Sequence, residues 1–377
     1  MKNYQIKLAL VTVFLLFSQT SCTWLDAAMN NFTGIVGLSD TATVISKTAQ
    51  IRTSYAVVAA DLLEVKRGEK LDVFDQVEFE KVLWYRVRGR DEAKTEGWIE
   101  AQHVITEDTL EKSQKLAEQF QGLPPQAAGQ IRAKSNLRLA PDMGTENILF
   151  KLENGASFEI MDWQYVPKQD APDVDDSNNA GSSRKGQNED IAAARETGEP
   201  EKLDEKYDIW YLVKLDPSVS PAPAGWLFGR QVELQIPSEI VYFQSNNRKF
   251  VAWQRLDSEM ASVTSGRSAT PGNWVILTRS NVVKAIDGVE PDFDGVTVLA
   301  FDKYDQSYYT AWRTTGEVWG VLPLKVEGVG DNKTFSMSLR HPEGRMEDKR
   351  FVVFKDKSRL KVTPPEDIAQ YQQARSR

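Results

Sequence analysis

The stretch Val65-Lys66-Arg67-Gly68-Glu69-Lys70-Leu71-Asp72-Val73-Phe74-Asp75 recurs as Leu152-Glu153-Asn154-Gly155-Ala156-Ser157-Phe158-Glu159-Ile160-Met161-Asp162 at an offset of 87. In both, a glycine breaks the chain and an alternating apolar and polar run follows, which predicts a turn leading into a half-buried strand. Working outward, Trp84-Tyr85-Arg86-Val87-Arg88 matches Trp210-Tyr211-Leu212-Val213-Lys214, and Gly97-Trp98-Ile99 matches Gly225-Trp226-Leu227. Upstream, Ile51-Arg52 pairs with Leu137-Arg138, and Val104 and Val232 close the two copies. An internal repeat fixes domain size without outside information. A unit of about 60 residues carrying five short strands hides its edges and buries a core by closing on itself, so a small barrel is expected for each copy.

The second copy carries an insertion. Eight residues separate Asp75 from Trp84, whereas 47 separate Asp162 from Trp210. Residues 168–208 hold twelve acids against six bases and few apolar side chains. Such a composition predicts a disordered acidic loop, placed at about 166–207 on a hairpin tip, with docking of a basic partner or divalent cations as the alternative.

This pattern of aliphatic-Arg, Gly before a strand, Trp-Tyr-x-Val and Gly-Trp resembles the bacterial SH3 domain, over residues 42–105 and 129–236. The resemblance implies tandem SH3-like barrels that receive extended peptide or glycan segments, with peptidoglycan or an envelope protein as partner. Candidate ligand-binding residues are Trp84, Tyr85 and Trp98 in the first copy and Trp210, Tyr211 and Trp226 in the second. Adjacent residues of a strand face opposite ways. One of each Trp-Tyr pair therefore belongs to a core, Tyr85 and Tyr211 if Trp84 and Trp210 face outward, and the sequence leaves that parity open.

The N-terminus carries an address. Lys2 and Lys7 precede a ten-residue apolar stretch, residues 8–17, and Thr20-Ser21 stand before Cys22, the only cysteine of the chain. This is a signal-peptide layout over residues 1–21, and ten helical residues reach about half of a hydrocarbon core. The Thr-Ser-Cys end resembles the lipobox of bacterial lipoproteins, with Gln19 where that family usually has an aliphatic residue. The resemblance implies acylation of Cys22, stable anchoring by several chains and, with Thr23 next, an outer-membrane address. Residues 22–41 then form a tether.

Residues 106–128 read as a helix and linker: Leu110, Leu116, Ala117 and Phe120 share one face, Thr106 is a candidate cap, and Gly122-Leu123-Pro124-Pro125 ends the helix. From 237 to 363, alternating runs at 240–243, 250–256, 274–278, 296–301, 308–313, 318–326, 335–339, 351–354 and 359–362 predict an antiparallel β-barrel or sandwich. Trp253, Trp274, Trp312 and Trp319 fill its core or, in the alternative, line a cavity for an apolar small molecule, making the protein a carrier or sensor. Residues 364–377 read as an exposed tail. The fold class is thus all-β: two small SH3-like barrels, a short linking helix and an antiparallel β domain.

The chemistry available is narrow. Forty-six bases against 54 acids in 377 residues argue against nucleic acid as partner. One Cys and two His allow no internal disulfide and no Cys/His zinc cage. His103 and His341 read as surface residues at a strand end and a turn, and no hydrolase or phosphate-loop motif occurs. No enzyme, metal or cofactor is expected. A carboxylate-dependent glycan hydrolase or a weak calcium site at Glu290, Asp292 and Asp294 is the remaining chemical alternative.

Overall fold

The computed structural model describes residues 41–168, 203–245, 248–257, 263, 271–280, 285–329 and 332–372. The fold is all-β with one helix of more than a single turn among the described residues. Two compact units divide the chain, residues 1–110 and 111–377.

The first unit contains β1 (Thr41–Val44), β2 (Thr48–Arg52), β3 (Asp61–Lys66), β4 (Lys70–Phe79), β5 (Val82–Arg88), β6 (Glu96–Glu100) and β7 (Val104–Thr106), with a 3-10 turn at Ala101–His103. They form one antiparallel sheet in the order β3-β2-β6-β5-β4-β1-β7. Ala49, Ile51, Val65, Leu71, Val73, Val87 and Ile99 meet in its core, and Tyr85 packs against them. Gly68 turns the chain at φ +87°, a conformation that costs glycine no steric penalty. The β4–β5 hairpin closes through Glu80 and Lys81 at φ +50° and +66°, the positive values a two-residue hairpin demands.

The second unit repeats this plan. Its strands β8 (Ala127–Ile131), β9 (Ser135–Arg138), β10 (Ile148–Leu152), β11 (Ser157–Pro167), β12 (Tyr207–Lys214), β13 (Ala224–Phe228) and β14 (Val232–Leu234) run in the order β10-β9-β13-β12-β11-β8-β14. Strand for strand this is the order of the first sheet, and a 3-10 turn at Gly229–Gln231 again precedes the last strand.

The repeated motifs are tied to one another in space. Arg52 pairs with Trp98 across β2 and β6, and Arg138 with Trp226 across β9 and β13. A Cβ on Gly97 would lie 2.4 Å from the carbonyl oxygen of Arg52, and one on Gly225 would lie 2.5 Å from Leu137 Cγ. The glycine of Gly-Trp is therefore required by the close approach of the aliphatic-Arg strand.

The insertion of the second copy begins and ends on paired backbone. Pro167 faces Tyr207 at the far end of the β11–β12 ladder, the position of the Glu80-Lys81 turn in the first copy. Both strands thus reach further into the expected loop than 166–207 allows, and a single helical turn, α2 (Leu203–Lys206, after the longer helix α1 at Glu107–Glu118), leads into β12. Residues 169–202 lie outside the described residues.

The helix α1 matches the expected 107–120 segment. The Ser113 hydroxyl, fully buried, donates to the Ala224 carbonyl at 2.6 Å and accepts from the Ala224 N–H at 3.1 Å. Leu116 and Phe120 pack on Met161, Leu212 and Ala224.

Two four-stranded antiparallel meanders complete the second unit: β15 (Arg248–Arg255), β16 (Trp274–Ser280), β17 (Gly295–Asp302) and β18 (Ser307–Arg313), then β19 (Gly320–Val329), β20 (Asn332–Arg340), β21 (Met346–Asp356) and β22 (Arg359–Thr363). Trp253 and Trp274 are fully buried and Phe335 stacks on Phe351 at 4.7 Å, so these aromatic side chains fill a core. Residues 240–243, expected as a strand, form a 3-10 turn at Val241–Phe243, because the Pro237 carbonyl accepts from both Ile240 and Val241 N–H. Gln126 and Gln254, both without exposed surface, bind the Leu324 carbonyl at 3.1 and 2.8 Å, and Leu324 N–H returns a bond to Gln126 at 2.7 Å. These bonds tie the Pro-Pro segment to β15 and β19.

Residues 364–372 differ from the expected exposed tail. Ile368 and Tyr371 are buried, Lys349 bridges Glu347 and Asp367, and the Tyr371 hydroxyl donates to Glu347 at 2.5 Å. Two apolar side chains three apart on a 3-10 turn share one side, which suffices to dock it.

Candidate binding faces of the two repeats

In each copy the arginine of the aliphatic-Arg pair organises the loop that follows it. The Arg52 guanidinium donates to the carbonyls of Val57 and Ala59 at 3.3 and 3.0 Å and lies 3.3 Å from Asp61. Arg138 donates to Asn147 Oδ1 at 3.0 Å and to the Gly144 carbonyl. A guanidinium that satisfies loop carbonyls fixes a loop that has no ladder of its own.

That loop builds an aromatic face in the first copy. Tyr55 stands edge-on to Trp98 with ring centroids 5.1 Å apart and lies 5.2 Å from Phe79, at the tip of β4. All three are partly exposed, and Val57 and Val58 beside them are 79% and 93% exposed. Arg86, the cross-strand neighbour of Trp98 on the other side, is exposed. Arg86 and Arg88 both reach Glu96, at 3.5 and 2.6 Å, and the bonds from Arg88 hold that carboxyl below its ordinary range. Arg88 also covers the Phe74 ring at 4.6 Å.

The same face of the second copy is closed. Phe74, Arg86 and Glu96 correspond to Met161, Leu212 and Ala224, and these three apolar residues with Trp226 receive α1 through Leu116, Ala117 and Phe120. One face is thus charged and open, and its repeat is apolar and covered by the chain itself.

The six aromatic residues singled out by the sequence fall into separate places. Trp84 and Trp210 are buried, at 5% and 2% exposure, and Trp210 packs on Phe228 at 5.2 Å. Tyr85 packs on the core of the first sheet, and burial raises its phenol above the ordinary value. Tyr211 packs edge-on to Trp163 at 6.5 Å, where burial raises its phenol strongly. Trp98 alone of the six lies on an open aromatic face. Tyr55 and Phe79, which complete that face, were not among the expected residues; their signal is the self-comparison, in which neither has an aromatic counterpart in the second copy. Cys22 lies outside the described residues.

The acids of the 290–294 segment go to separate partners. Glu290 forms a buried ion pair with Arg279 at 2.9 Å, and Arg279 covers the Tyr165 ring at 5.2 Å, whose phenol burial pushes up to about 12. Asp294 binds Arg248 and accepts from Ser280 N–H at 2.9 Å. Asp292 accepts from Leu322 N–H at 2.8 Å, and desolvation, with the charge of Asp162 nearby, pushes its carboxyl up to about 7. No group of three or more His, Cys, Asp or Glu is placed to hold a metal among the described residues. His103 bonds Ser46 Oγ at 2.8 Å, and His341, expected at the surface, is buried against Tyr371 at 5.3 Å. Among the described residues no helix is long and apolar enough to cross a membrane.

Comparison with protein-family models and with curated proteins finds no match for this chain.

Proposed function

We propose that this chain is a lipid-anchored cell-envelope protein that binds without catalysis, engaging peptidoglycan through the first of two SH3-like repeats. The observation that carries the reading is the open Tyr55-Trp98-Phe79 face beside Arg86. Aromatic rings in a shallow face stack on the apolar faces of sugars and on extended peptide, and an exposed guanidinium receives the carboxylates that peptide stems carry. The common strand order of the two sheets, each with a 3-10 turn before its last strand, supports the SH3-like reading. The closed second copy serves as scaffold, bonded to the C-terminal meanders through Gln126 and Gln254. An acylated Cys22 places this assembly at a membrane, with the outer membrane as the expected address.

Co-sedimentation with purified peptidoglycan sacculi tests the binding. The reading expects pelleting that survives moderate salt, because stacking contacts are screened less than exposed ion pairs. Complete release on washing overturns the wall-binding reading and leaves an envelope protein as partner. Fractionation of a Cys22→Ser protein tests the anchor: it is expected to leave the membrane fraction, and its retention there overturns lipidation as the attachment.

A further inference from the structure

One face of the first meander of the C-terminal region carries an open cavity of about 430 Å³. The expected tryptophans do not line it; Trp253 and Trp274 are buried in the core. Its apolar floor is Phe250, Ile276, Val296 and Leu299, each 9% exposed or less. Thr278, Thr297 and Thr310 add hydroxyls to the wall, and Gly295 leaves room between Thr278 and Arg248, since a Cβ there would lie 2.6 Å from the threonine hydroxyl oxygen. Phe243, 43% exposed on the preceding 3-10 turn, lies at the edge.

Two arginines line the space, and they differ in their partners. Arg248 is compensated by Asp294 and by Glu317 at 3.5 Å. The guanidinium of Arg313, exposed at the end of β18, forms no hydrogen bond or ion pair among the described residues. A cavity of 300–1,000 Å³ with an apolar body and a few placed polar groups is the usual form of a small-ligand site. A guanidinium with no internal counterion adds a preference for an anionic group.

We propose that this cavity binds a small amphipathic anion, a carboxylate or phosphate head on a compact apolar body, with the body on the Phe250-Ile276-Leu299 floor and the head at Arg313. The site is separate from the aromatic face of the first repeat, and neither proposal depends on the other.

Isothermal titration with three probes tests it on the Cys22→Ser protein, which carries no acyl group. Decanoate has head and body, decanol the body alone and acetate the head alone. The expected result is saturable decanoate binding, at least tenfold weaker decanol binding and no measurable acetate binding. Arg313→Gln is expected to weaken decanoate about tenfold and leave decanol unchanged. Thr310→Trp, at an exposed position, fills the cavity and is expected to abolish binding of both while the unfolding midpoint stays within experimental error. Absence of saturable decanoate binding to the Cys22→Ser protein overturns the proposal. Decanoate binding unaffected by both substitutions overturns the assignment to this cavity, and decanol binding as tight as decanoate overturns the anionic preference.

Discussion

Replacing Asp292 with asparagine is expected to stabilise the second unit at pH 8 and to change little at pH 3. In the folded protein its carboxyl is pushed from 3.8 up to about 7, by desolvation first and by the charge of Asp162 as a further contribution, against the bond from Leu322 N–H and the charge of Arg279. Between the unfolded and folded values the folded chain binds the extra proton, so stability falls as pH rises through roughly 4 to 7. Above pH 7 both states are ionised and the whole penalty is present. A rise of this size corresponds to about 4 kcal/mol. Asp292 keeps part of its surface in contact with solvent, and the higher effective dielectric of such a site reduces the figure to about 1–2 kcal/mol. Asparagine retains the carbonyl oxygen that accepts from Leu322 N–H and removes the charge. The assay is urea unfolding of the parent and Asp292→Asn proteins at pH 3, 5, 7 and 8. The two are expected to agree at pH 3, below the unfolded pKa, and to separate as pH rises, by about 1–2 kcal/mol at pH 8, the variant being more stable. An equal difference at every pH, or a less stable variant at pH 8, would show that the Asp292 carboxyl is not destabilised by its burial.

Three further outcomes are expected. Ser113→Ala removes a buried hydroxyl that both donates to and accepts from Ala224, leaving a backbone carbonyl and N–H unpaired; a loss of about 1–3 kcal/mol in denaturant unfolding checks it, and no loss would contradict the role given to Ser113. Glu80→Asn with Lys81→Gly puts residues suited to positive φ into the β4–β5 turn and should stabilise the first unit by about 1 kcal/mol; a lowered melting temperature would count against the turn geometry. Bonds from Lys349, Tyr371 and Arg345 hold Glu347 down to about 2, so the contribution of this carboxylate to docking residues 364–372 is present above its ordinary pKa and is lost as pH falls from about 4.5 to 2. Limited proteolysis of Glu347→Gln at pH 7 should release the C-terminal end faster than from the parent protein, and equal rates would show that the bonds do not hold the tail.

The repeat was legible because its marks are ties between neighbouring strands. Aliphatic-Arg and Gly-Trp recur together because Gly97 and Gly225 must admit the adjacent strand closely, so each motif constrains the other. The position of the insertion was legible too, since a hairpin tip tolerates added chain without disturbing the ladder. The candidate face was read only in part. Period-two alternation separates core from solvent where one face of a strand is wet, and at Trp84-Tyr85 the first side chain is buried and the second partly buried against the core, so parity marks neither as an open binding residue. Tyr55 and Phe79 lie in a loop and at a strand end, outside any periodic pattern. What the sequence does hold is the contrast between Phe74, Arg86 and Glu96 in one copy and Met161, Leu212 and Ala224 in the other. That contrast marks which copy has its face covered by a helix, once the two are known to share a strand order. The strand expected at 240–243 failed because a short apolar run suits a buried turn as well as a strand.

In the proposed function the first repeat binds, while α1 closes the second. Sacculus co-sedimentation of the parent, Trp98→Ala and Trp226→Ala proteins, run side by side below the unfolding temperature of each, tests it most directly. Trp98→Ala is expected to stay in the supernatant while Trp226→Ala, whose lost ring faces the helix, pellets like the parent. Pelleting of Trp98→Ala at the parental level, with loss in Trp226→Ala, would contradict it.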